Sequence, residues 1–154
     1  MNSIKGVLLK AETMTIAPVT ITTVGSVYQG IRDALGDCLI EDREYHFGTD
    51  AKAPVFDILC DEEGAYTGKK VSAMCLKGNE WHTCALGDLF ICKTNEDGEW
   101  VSLTDEECKT VMDCARVYDN PDTGEKFVFF HVFFDFEAHD RWVEQMKADG
   151  WAVF

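Results

Sequence analysis

Six residues in the middle of the chain have side chains suited to one task. Tyr66, Lys69 and Lys70 lie on one loop, and Asn79, Trp81 and His82 follow at the next turn and strand start. Aromatic rings with cations nearby suit a nucleobase and its phosphates, because rings stack on the base while ammonium groups meet the negative charge. Aromatic residues at strand starts more often serve a core. The grouping is therefore a candidate ligand-binding site rather than a signature.

Other groups point to less. The acidic knot Asp61-Glu62-Glu63 offers oxygens of the kind a divalent cation takes, but a dedicated site needs more converging ligands, so a solvated turn is expected. Neither the knot nor Asn95-Glu96-Asp97-Gly98 has EF-hand spacing; around the second, Lys93 and Thr104 fall at the outer ligand positions. No metal site is expected. The seven cysteines (38, 60, 75, 84, 92, 108 and 114) form an odd set without a Cys-x-x-Cys. Cys60, Cys75 and Cys92 sit in apolar runs, where free thiols pack as small hydrophobes, and a reducing compartment follows. His131 stands among phenylalanines and is expected to be neutral and hydrogen-bonded in the core or an interface. His46 is expected in a loop, and His139 with Asp140 on the solvent side of a last helix. No Cys–His pair has sequence support as nucleophile and base, and Gly-x-Ser-x-Gly, P-loop and dinucleotide fingerprints are absent. Neither catalytic residues nor a cofactor is expected.

The totals set bounds. A chain of 154 residues suits one domain, or a small domain with an appendage, and 46% hydrophobic with 12% aromatic residues is ample for a packed core. Acidic residues number 28 against 14 basic, for a formal charge of −14. Such a surface repels a phosphate backbone, so direct nucleic-acid binding is not expected. The same charge suits a small protein to occupy a site meant for nucleic acid on a basic partner. No apolar run approaches the roughly 18 residues of a membrane helix. The first residues lack the marks of a secretory signal. A cytoplasmic location without membrane association is the expectation.

The elements that must position these residues follow from periodicity. Residues 4–21 read as a β-hairpin whose second strand, carrying Pro18, lies at an edge or bends. Val24, Val27, Tyr28, Ile31 and Leu35 form one helical stripe, with Thr22 or Thr23 as N-cap and Gly36 as the stop. Gly25 and Gly30 weaken that helix, so something must pack closely against it. Cys38–Tyr45, Val55–Cys60, Val71–Leu76 and Trp81–Leu86 read as strands, and Leu89–Cys92 as an interior one. Asp97-Gly98 closes a hairpin to Trp100–Leu103, and Thr104-Asp105-Glu106-Glu107 is a capping box that opens a short helix through Ala115. Arg116–Tyr118 and Phe127–Phe134 flank a turn. The second of these is apolar on both faces, so it must be central in a sheet or buried in a subunit contact. Glu137–Ala148 reads as a helix with Trp142, Val143 and Met146 inward, stopped by Gly150, before a last strand at Trp151–Phe154.

Three segments together resemble a small family of phages, plasmids and gut-bacterial mobile elements, catalogued as domain of unknown function 3846. They are the helix running into Gly36-Asp37-Cys38-Leu39-Ile40-Glu41; the knot Cys60-Asp61-Glu62-Glu63-Gly64; and Gly87–Ile91 followed by Trp100–Glu107. The similarity covers roughly residues 4–112. Where that family carries a Leu-Pro-x-Asn-Arg-like segment after the acidic turn, this chain has Gly68-Lys69-Lys70-Val71-Ser72. The resemblance implies a mobile-element context and a small α+β domain, and no chemistry.

The expected class is α+β: a mixed or antiparallel sheet with two or three helices packed on it. Residues 1–115 would form a small domain, and 116–154 a β-β-α-β extension packed on it. The functional expectation is a non-enzymatic binding protein that captures a small nucleotide-type ligand through Tyr66, Lys69, Lys70, Asn79, Trp81 and His82. The alternative is an acidic inhibitor that blocks the basic nucleic-acid-binding surface of a host protein. Phe127, Phe129, His131 and Phe133 are the candidate interface of a homodimer.

Overall fold

Alternation in the first residues folds the chain back on itself. In the computed structural model, which describes residues 1–48, 52–77, 80–133 and the isolated positions 144, 148 and 150, β1 (Asn2–Lys10) pairs antiparallel with β2 (Thr15–Thr23). β2 is an edge strand, as Pro18 requires. Helix α1 (Val27–Ala34) begins later than its apolar stripe suggests. Thr22 and Thr23 are held extended opposite Ser3 and Asn2, so Ser26 is the cap, its hydroxyl accepting the Gln29 N–H at 3.1 Å. Val24 falls outside the helix and is 91% exposed. Gly36, with φ of 91°, ends the helix as expected. Gly30 lets α1 lie on β2, since a Cβ there would stand 3.0 Å from the Thr23 side chain.

The remaining elements are β3 (Ile40–Phe47), β4 (Val55–Asp61), β5 (Val71–Lys77), β6 (Glu80–Leu86), β7 (Leu89–Thr94), β8 (Trp100–Val101), α2 (Asp105–Cys114), β9 (Ala115–Asp119), β10 (Lys126–Phe130) and β11 (Val132–Phe133). The α+β class and mostly antiparallel pairing match the expectation, but the strands divide between two sheets. The first has the order β11-β3-β4-β7-β1-β2, with β8 on the end of β7; the second has the order β6-β5-β10-β9. Only β5 and β10 pair in parallel among the described strands.

Both faces of the first sheet are buried. On one, Ile4, Leu59, Phe90 and Cys92 pack with Ile31 and Leu35 of the helical segment. On the other, Val7, Leu9, Tyr45, Phe56, Ile58, Leu89 and Ile91 meet Ala73, Cys75, Ala85, Val128 and Phe130 of the second sheet and Cys108 and Val111 of α2. The layers are thus α1, the first sheet, and the second sheet with α2. Burial on two sides is why β7 reads as a continuous apolar run over Leu89–Cys92, and β4 as an apolar run broken only by Asp57 before its terminal Asp61. The expected capping box opens α2, with Thr104 and Glu107 satisfying each other's backbone amides. All seven cysteines are free, and all but Cys38 are buried.

Two expectations are corrected. His46 lies in β3 opposite Val55, not in a loop, because the ladder with β4 extends that far. The stretch from Phe127 is not one strand: the His131 N–H donates to the Cys114 carbonyl at 2.9 Å, and the chain passes from β10 in the second sheet to β11 beside β3 in the first. β10 is central, between β5 and β9. β9 and β10 therefore complete the sheet that β5 and β6 begin, while β11 extends the first sheet. The expected helix over 137–148 and the strand over 151–154 lie outside the described residues, except that Glu144 and Ala148 are helical and exposed. No described helix is long and apolar enough to cross a membrane.

Candidate functional site

The β5–β6 hairpin measures the distance between the candidate ligand residues. Val71 lies opposite Leu86 at one end, and Leu76 opposite Trp81 at the other. Tyr66, Lys69 and Lys70 come just before Val71. The strand from Val71 to Leu76, at about 3.3 Å per residue, puts roughly 17 Å between that loop and Trp81. The loop trio and Trp81 are not brought together. Asn79 lies outside the described residues.

The loop has its own local logic. Lys69 Nζ sits 2.7 Å from Asp61 Oδ2, and Asp61 Oδ1 accepts the Glu63 N–H at 2.9 Å. Burial works against the Asp61 charge, but the Lys69 ammonium and the Glu63 amide outweigh it and hold the carboxyl below its usual range. Lys69 is thus engaged by the acidic knot. Tyr66 is 91% exposed, and Lys70 is also exposed. His82 follows Trp81 but faces the other side, because successive strand residues alternate: His82 is opposite the core residue Cys75, and Trp81 opposite Leu76.

Trp81 instead joins the outer face of the second sheet. Its ring centroid is 6.1 Å from Phe127 and 5.5 Å from Phe129, with the planes nearly perpendicular at 83° and 75°. Tyr118 stacks on Phe127 at 4.7 Å, and His131 meets Phe129 edge-on at 5.0 Å. Register explains the grouping: Phe127 is opposite Tyr118, and Phe129 opposite Arg116. One candidate ligand residue and three candidate interface residues therefore share one surface. Phe133 belongs to β11 in the other sheet. His131 is not in the core but exposed on this face. Partial burial, then the nearby Arg116, lowers its pKa, so the neutral imidazole is favoured at pH 7.

This face can stack planar or apolar groups. Trp81 is 59% exposed and Tyr118 45%, and exposed aromatic patches mark interaction sites. Tyr118 and Arg116 escaped the sequence reading; the signal was their alternation in step with Phe127 and Phe129 across the turn. Asp57 escaped too, although a lone carboxylate inside the apolar run Val55–Cys60 was a clear anomaly. No group of histidine, cysteine and carboxylate side chains among the described residues could hold a metal ion. The thiols of Cys38, Cys60, Cys84, Cys92, Cys108 and Cys114 all have raised pKa values; burial leads in five, and the Cys75 contact leads for Cys84. Such thiols are poor nucleophiles at neutral pH.

No curated protein and no solved structure matches the chain. The family model described as Domain of unknown function (DUF3846) matches residues 4–116, taking in α1, the acidic knot, β7 and the capped helix α2. With that match over most of its length, the chain belongs to the DUF3846 family.

Proposed function

We propose that the chain is a non-enzymatic binding protein of phage or mobile-element type that captures a small nucleotide-type ligand on the outer face of the second sheet. The observation that carries the reading is the exposed Trp81 indole braced by Phe127 and Phe129. A braced, exposed ring is a stacking platform that needs little reordering when a base arrives. Arg116 brings a cation to the same face, opposite Phe129. This reading moves the ligand from the residue 66–82 loop to the sheet and keeps Trp81 as its anchor.

Isothermal calorimetry against a panel of cyclic and ADP-ribose-derived nucleotides tests it. At least one should bind, and Trp81→Ala should weaken binding about tenfold or more, the usual worth of one base–aromatic stack. No heat from any of them sinks the reading. If sedimentation instead shows a dimer that Trp81→Ala dissociates, the face is a subunit contact.

A second reading, the acidic inhibitor of a basic nucleic-acid-binding protein, draws on the charge of −14. It requires partner binding that weakens steeply with salt. The exposed carboxylates are spread over β3, α2 and several loops rather than gathered in one stripe, which favours the first reading.

A further inference from the structure

On the α1 side of the first sheet, a carboxylate lies where the apolar layer should continue. Asp57 is 2% exposed. Its Oδ2 accepts the Thr94 hydroxyl at 2.7 Å, while its Oδ1 is buried without a donor. An orphaned, buried carboxylate oxygen is costly and calls for a partner. Two exposed carboxylates adjoin it on β3: Glu44 is directly opposite Asp57, and the Asp42 carboxyl is within hydrogen-bonding reach of it. None of the ion pairs among the described residues engages any of the three. The Trp100 indole N–H donates to Asp42 Oδ2 at 2.8 Å, and its ring stacks on Tyr28 at 5.7 Å and 14°.

We propose that Asp57, Asp42 and Glu44 form a receptor for a guanidinium group, with the Trp100–Tyr28 stack beside it as an aromatic wall. The orphaned Asp57 Oδ1 needs a donor, and a guanidinium presents several in one plane, matched to paired carboxylates and able to lie against a ring. A metal ion fits worse, because these residues do not converge as a metal-binding group. The site lies on a different sheet from Trp81, so the inference stands apart from the nucleotide reading.

In the unliganded protein, a proton held on the Asp57–Asp42 pair limits the repulsion between the two carboxyls. Burial first, then the Asp42 contact, pushes the Asp57 carboxyl up to about 7. The other groups facing Asp57 leave that proton in place. Glu44 adds negative charge from β3, and the Cys92 thiol on β7 is itself raised by burial and by Asp57 and Asp42. On α1, Arg32 is turned to Asp37 at 3.1 Å and to the Tyr28 ring. Guanidinium binding then displaces one proton.

The test is titration of the full ¹⁵N-labelled chain with N-acetyl-arginine amide, followed by NMR. Shifts should concentrate on the Trp100 indole N–H and the amides of Asp57 and Thr94. Binding should be about tenfold tighter at pH 8 than at pH 6, as expected when one proton with a pKa near 7 is displaced. Asp42→Asn, an exposed change that spares folding, should weaken binding at least tenfold, whereas Glu106→Gln on α2 removes the same charge and should change nothing. The lysine analogue should bind more weakly. Placing the arginine in a short uncharged peptide separates the sources: tighter binding than the amide indicates a protein partner, and equal binding a free small guanidine compound. Shifts scattered over the acidic surface, equal losses in Asp42→Asn and Glu106→Gln, or no response at Trp100 at either pH would overturn the site.

Discussion

Phe90 and Trp81 are aromatic residues on strands of nearly equal length, yet the first is fully buried and the second 59% exposed. Phe90 lies on the face of the first sheet that α1 covers, in one cluster with Ile31 and Leu35. Gly6 on β1 leaves room for its ring, since a Cβ there would come within 2.6 Å of it. Trp81 lies on the outer face of the second sheet, supported by neighbouring rings from one side only. The difference arises from what covers each face, not from the strands themselves. A covered aromatic contributes to stability, whereas an uncovered one is available to a ligand.

That contrast can be broken by mutation. Phe90→Ala should cost about 3–5 kcal/mol in urea unfolding, the usual loss for a fully buried phenylalanine; a loss near zero would mean that the α1 layer is not packed as described. Asp57→Asn, on the same covered side, should act through pH. The Asp57 carboxyl is raised to about 7 in the folded chain, against about 3.9 when unfolded. The native state therefore binds the extra proton between those values, and stability falls as pH rises from about 4 to about 7. Asparagine resembles the protonated acid. The variant should be more stable than the parent by about 1–3 kcal/mol at pH 8 and nearly equal to it below pH 4, as followed by denaturant melts across pH. An unchanged difference across that range would remove the buried proton. Trp81→Ala should have the smallest effect on stability, about 1 kcal/mol or less, because an exposed ring loses mainly its edge contacts. A loss as large as that of Phe90→Ala would show that the outer face is covered in solution.

Much of the chain could be read from local pattern. The capping box at Thr104, the stop at Gly36, the edge strand with Pro18 and the interior run Leu89–Cys92 each appear where the sequence suggests. The N-cap of α1 was misread because two threonines that look like caps are claimed by the ladder to β1. The candidate site was only half legible. Nearness in sequence groups Trp81 with His82, Lys69 and Lys70, but strand alternation sends His82 to the core side and the hairpin carries Lys69 and Lys70 to the far end.

Residue order alone was enough for element type, for the free buried thiols and for the family, because propensity, capping and apolar periodicity act over a few residues. Pairing over long separations settled the rest. The parallel match of β10 to β5 brought Phe127 and Phe129 to Trp81, and the match of β3 to β4 set Asp42 and Glu44 beside a buried Asp57. Which face a strand residue presents, and what lies across from it, depends on the register of distant segments, and no local pattern encodes that.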